Sequence, residues 1–98
     1  MTIKDQQIPN RSVKVRRRRV PGAIVLVQDN YYFALDEFAD AVWGLCTGAR
    51  TVAEIVDLMG QNPVSIRDSR TPDDTLRILR SFAEATLIVF AEATVGAS

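Results

Sequence analysis

The 98-residue chain contains no histidine and a single cysteine, Cys46. The commonest general base is therefore missing, and an ordinary zinc site cannot be assembled. A lone cysteine cannot close an internal disulfide, which suits a reducing compartment. Ser12, Ser65, Ser69 and Ser81 have no evident base to activate them. Carboxylates stand side by side at Asp36/Glu37 and Asp73/Asp74. Acid–base chemistry could begin at such pairs, but both sit where helices are expected to start and where negative charge is favoured, so a structural role is preferred. No glycine-rich phosphate loop is present. These residues point to a protein that is not an enzyme, with no cofactor and no metal.

The remaining charge is unevenly placed. Residues 1–20 hold seven cations and one anion, and the rest of the chain five cations and eleven anions, so the formally neutral chain divides into +6 and −6. Four of the cations are consecutive, Arg16 to Arg19. On a strand they alternate between faces, Arg16 and Arg18 one way, Arg17 and Arg19 the other, which is not a one-sided phosphate stripe. A solvated edge strand protected by charge is the preferred reading. The functional reading is an electrostatic landing site for an acidic peptide or nucleic acid.

The elements that position these residues follow from periodicity and turn chemistry. Hydrophobic residues make up 47% and charged residues 24%, enough for one modest core. Residues 1–11 read as a flexible N-terminal tail, 12–92 as the folded domain and 93–98 as a flexible C-terminal tail. Val13 to Val20 reads as a first strand, Pro21-Gly22 as a turn, and Ala23 to Gln28 as a second strand. Asp29-Asn30 suits a two-residue type I′ connection to a third strand, Tyr31 to Leu35. The period then changes to that of a helix. Asp36 is placed to cap a first helix, and Thr51 with Glu54 forms a capping box for a second. Gly60 to Arg70 reads as a polar connection. Thr71-Pro72-Asp73-Asp74 opens a third helix running to about Ala85. Leu87 to Phe90 reads as a short final strand or an extended segment packed on the core. Trp43 and Cys46 are expected to complete the core. No segment is long enough to span a bilayer, so the cytoplasm is the default location.

The aromatic run Tyr31-Tyr32-Phe33 draws attention because the third strand of a meander has only one partner adjacent in sequence. Its outer edge is either open, and able to pair with a guest strand, or covered by the last segment or by a second copy of the chain. The sequence alone leaves these alternatives level.

Three stretches now come together: Tyr31-Tyr-Phe-Ala-Leu-Asp36, Ala41-Val-Trp-Gly-Leu-Cys-Thr-Gly48 and Arg50-Thr-Val-Ala-Glu-Ile-Val-Asp57. In this order they resemble the PqqD family, which serves pyrroloquinoline quinone biosynthesis, and its relatives, the RiPP recognition elements of ribosomal peptide pathways. The resemblance implies an α+β, winged helix-turn-helix-like fold, with a three-stranded antiparallel sheet followed by three helices. It implies that the leader segment of a precursor peptide adds as a fourth strand beside Tyr31, Tyr32, Phe33, Ala34 and Leu35. It implies that Asp74, Arg77, Ile78 and Ser81 of the third helix form the other wall, with Leu76, Leu79 and Ala83 inward and Phe82 at the margin. The module would present the precursor to a modifying enzyme such as a radical SAM protein, a cyclase or a leader protease. There are departures: where the family commonly has glycine in the turn after the third helix, this chain has Ala85-Thr86; the connection before that helix is less typical; and the four-arginine first strand is more basic than the family's.

The rival from another class is a winged-helix DNA-binding regulator. It is disfavoured because the second helix carries Glu54 and Asp57 and no cation, and phosphate affinity needs cations on the recognition element. A third reading is a structural subunit that forms a homodimer through the free edge. Membrane partners are not expected.

Overall fold

The computed structural model describes residues 2–92. The order of elements is β1 (Gln7–Arg11), β2 (Arg16–Val20), β3 (Ala23–Gln28), β4 (Tyr31–Leu35), α1 (Glu37–Leu45), α2 (Val52–Gly60), α3 (Pro63–Arg67), α4 (Pro72–Glu84) and β5 (Ile88–Glu92). Strands β2, β3 and β4 form the antiparallel meander, in that spatial order. Pro21 and Gly22 make the first turn, and Gly22 has φ 78°, the left-handed value that the second central residue of a type II turn requires. At the second turn only Asp29 has a positive φ, 53°, so the connection is not the type I′ pair that its residue types allow. The first strand begins later than its β-branched residues suggest: Val13 is 98% exposed and lies outside β2.

Register sorts the meander into two faces. Arg17, Leu26 and Phe33 stand in one cross-strand row, and Arg19, Ile24 and Leu35 in another, all on the face turned to the helices. Leu26 is fully buried there, beside Leu35. Helix α1 lays Phe38, Ala39, Val42 and Trp43 against this face. Asp36 caps α1 by accepting from the Ala39 N–H at 2.7 Å. Helix α2 adds Val52, Ile55 and Met59, and its Thr51/Glu54 capping box is present in full. Helix α4 adds Thr75, Leu79 and Phe82. Cys46 is fully buried in the same cluster, as expected of a small core side chain.

Three findings differ from the sequence reading. The polar segment 1–11 contributes strand β1, which pairs antiparallel with β5 from Gln7↔Glu92 to Arg11↔Ile88. Pro9 is buried, and its carbonyl accepts from the Gly48 N–H at 3.0 Å. Gly48 itself has φ 83°, a left-handed value that favours glycine, and a Cβ there would lie 2.9 Å from Asn10 Nδ2, so the Asn10 side chain would have to shift. Second, the polar connection contains a short helix, α3, with Asn62 as its cap and Pro63 in its first turn. Third, Phe82 is not marginal but fully buried, because the rings of Phe33 and Trp43 close on it from two sides. The expected 93–98 tail lies outside the described residues.

Candidate functional site

β5 was one of two candidates to cover the outer edge of β4. It pairs with β1 instead, so among the described residues β4 has one sheet neighbour, β3. The phase of that edge follows from the turn. A two-residue connection makes Gln28 and Tyr31 the closing hydrogen-bonded pair, and every second pair after it, Leu26/Phe33 and Ile24/Leu35, bonds likewise. Tyr31, Phe33 and Leu35 therefore spend their backbone groups on β3. Tyr32 and Ala34 turn theirs outward, two N–H donors and two C=O acceptors along an open edge. Tyr31 and Tyr32 are largely exposed, 79% and 74%.

Behind this edge lies a cavity of about 390 Å³. Leu26, Gln28, Asp29, Tyr31, Tyr32 and Phe33 line it from the sheet and its β3–β4 turn, and Ala85, Thr86 and Leu87 from the corner where α4 gives way to β5. The floor is firm, because the Phe33 ring meets Phe82 edge-on at 5.9 Å and Phe82 meets Trp43 at 5.6 Å. The corner is a complete Schellman motif. The Leu87 N–H donates to the Phe82 carbonyl at 2.8 Å and the Thr86 N–H to the Ala83 carbonyl at 3.0 Å. Thr86 sits at the position that reverses the chain, with φ 57°. Glycine adopts that conformation freely and a β-branched residue does not.

The expected residues of α4 are placed less uniformly. Asp74 is half-buried and serves its own helix, accepting from the Thr71 N–H at 2.8 Å and from the Thr71 hydroxyl at 3.2 Å. The Thr71 backbone N–H holds its carboxyl below the usual carboxylate range. Arg77 is exposed and lies 3.7 Å from Asp74. Ile78 and Ser81 are half-buried. None of these four lines the cavity behind Tyr31 and Phe33. The lining residues Leu26, Gln28, Asp29, Ala85, Thr86 and Leu87 escaped the sequence reading. Two signals were available: Ala85 continues the Ile78–Ser81 stripe at i+4, and Leu26 shares the inward alternation of Phe33.

The four arginines divide as alternation requires. Arg17, turned to the helices, forms a two-pronged pair with Asp40 of α1, Nε to Oδ1 at 2.7 Å and Nη2 to Oδ2 at 2.9 Å. This pairing holds its guanidinium pKa above the ordinary value. Arg16 and Arg18 occupy the opposite face, in rows with Val27 and Tyr32 and with Val25 and Ala34. Among the described residues neither makes an ion pair. The Cys46 thiol is fully buried, and burial pushes its pKa up to about 12, so thiolate is scarce near neutral pH. No cluster of three or more metal-ligating side chains occurs among the described residues. None of the described helices is long and apolar enough to cross a membrane.

The family model described as "Coenzyme PQQ synthesis protein D (PqqD)" matches residues 23–88, two thirds of the chain. The chain belongs to the PqqD family. The match opens at β3 and closes at the start of β5, so it contains β4, the cavity and the corner at Thr86. A PqqD-like chain is a RiPP recognition element of natural product biosynthesis, and membership suggests a peptide-binding accessory protein rather than a catalyst. No curated protein and no solved structure matched the chain.

Proposed function

We propose that this PqqD-like protein binds the leader segment of a ribosomally made precursor peptide as a fourth strand beside β4, and presents it to a modifying enzyme. One observation carries the reading. The open edge of β4 offers outward backbone groups at Tyr32 and Ala34 immediately beside an apolar cavity floored by Phe33. Strand addition needs both features: main-chain hydrogen bonds for affinity and a side-chain pocket for specificity. The guest's alternate side chains drop toward Leu26, Phe33 and Leu87, and the others stand out beside Tyr32 and Ala34. A radical SAM protein, a cyclase or a leader protease is the class of enzyme served. The cytoplasm, where ribosomal precursors are made, is the compartment that this reading requires.

Ile78 and Ser81 lead along α4 to Ala85, so a leader longer than the cavity runs on toward them, with Asp74 and Arg77 at the far end. Calorimetric titration with the synthetic leader of the short precursor gene nearest this chain's own gene tests the proposal. We expect saturable binding at micromolar concentrations or tighter. Absence of heat and of competition, with the protein verified as folded, would sink it. A salt-dependent shift of duplex DNA by the same sample would favour the winged-helix regulator.

A further inference from the structure

The conformation of Thr86 is costly and local. A β-branched side chain in the left-handed region crowds its own backbone, and glycine at that Schellman position would not. Its hydroxyl donates to the Ala85 carbonyl at 2.6 Å, which fixes the side-chain rotamer. The same residue lines the cavity behind β4, opposite Tyr31 and Phe33. Backbone strain that the fold could avoid, held at the wall of a binding cavity, marks a residue kept for what its side chain does there.

We infer that Thr86 is a specificity-determining residue: its β-branched bulk closes the corner end of the cavity and limits the size of the guest side chain that enters. The inference rests on the leader-binding reading and sharpens it. The guest residue turned inward is apolar where it meets Leu26, Phe33, Ala85 and Leu87, while Gln28 and Asp29 line the cavity where it reaches the β3–β4 turn. Its bulk is set by Thr86. A glycine at the corner relieves the strain and opens the cavity. Stability and selectivity therefore move in opposite directions, which a merely structural role does not produce.

The test uses Thr86→Gly, Thr86→Val and the wild-type chain against the same synthetic leader. The leader's inward anchor is first located by alanine substitution, and a second peptide carries tryptophan at that anchor. We expect T86G to raise Tm by about 5 °C. It binds the natural leader about tenfold more weakly and the tryptophan peptide more tightly than wild type does. T86V keeps the bulk without the hydroxyl and retains the wild-type preference within about twofold. A T86G protein with raised Tm and an unchanged preference between the two peptides would overturn the inference while leaving leader binding intact. Failure of the wild-type chain to bind the leader would overturn the parent reading and this one with it.

Discussion

The ring of Phe82 stands edge-on to that of Phe33, with centroids 5.9 Å apart, so the helix that ends at the Thr86 corner is locked to the strand whose edge is open. The two walls of the cavity thus share one aromatic joint, continued inward to Trp43 at 5.6 Å. Truncating Phe82 removes the joint and leaves a void in the middle of the core. We expect Phe82→Ala to cost about 3–5 kcal/mol in chemical denaturation, with the slope against denaturant unchanged if folding stays cooperative. A loss below about 1 kcal/mol would mean that the two walls are held together elsewhere.

Ala34 tests the phase of the edge. Its N–H faces away from β3, so proline there removes a donor that the fold does not use. Ala34→Pro is expected to leave Tm within a few degrees of wild type and to weaken leader binding more than tenfold. Phe33→Pro, one residue away, breaks the ladder to β3 and should unfold the domain or cost about 3 kcal/mol. Equal damage to folding from both substitutions would refute the assigned phase.

Acid should loosen α4 through Asp74. The Thr71 backbone N–H lowers the Asp74 pKa in the folded state, so the unfolded chain binds this proton more readily. The stabilisation is whole above the unfolded carboxyl range and is lost as pH falls through the folded value. Glu54 carries the same effect at α2, its pKa lowered by the Thr51 backbone N–H. Tm is expected to fall below about pH 4, and Asp74→Asn should lower Tm at pH 7 while making the acid slope shallower. An acid slope identical in D74N and wild type would assign the effect elsewhere.

Cys46 supplies a probe of global opening. Burial pushes its thiol to about 12, so thiolate is scarce at pH 8 and the sulfur is enclosed. Labelling by iodoacetamide at pH 8 is expected to be slow in the native protein and to accelerate in step with denaturant unfolding. Rapid labelling of the folded protein would show that the core around α1 opens locally.

Much of this architecture could be read from residue order because its signals are local. The caps at Asp36, Thr51 and Thr71, the turn at Pro21-Gly22 and the two alternating strands all depend on neighbours within four residues. β1 could not be read so, because its polar residues and Pro9 form a strand by pairing with Ile88–Glu92, at the other end of the chain. α3 spans Pro63–Arg67, too short to show a period, although Asn62-Pro63 carried the start signal. Phe82 looked marginal because its partners Phe33 and Trp43 come from other elements. The strand wall of the cavity was visible in Tyr31 to Leu35, whereas the corner wall, Ala85 to Leu87, depends on a chain reversal that Ala-Thr does not announce.

Amide exchange at β4 tests the central claim most directly. In the free protein the amides of Phe33 and Leu35, bonded to β3, should exchange slowly, and those of Tyr32 and Ala34, facing the open edge, quickly. Addition of saturating leader peptide is expected to protect Tyr32 and Ala34 selectively, as a fourth strand takes up their N–H groups. Unchanged, rapid exchange at both amides with the leader demonstrably bound would contradict strand addition at this edge.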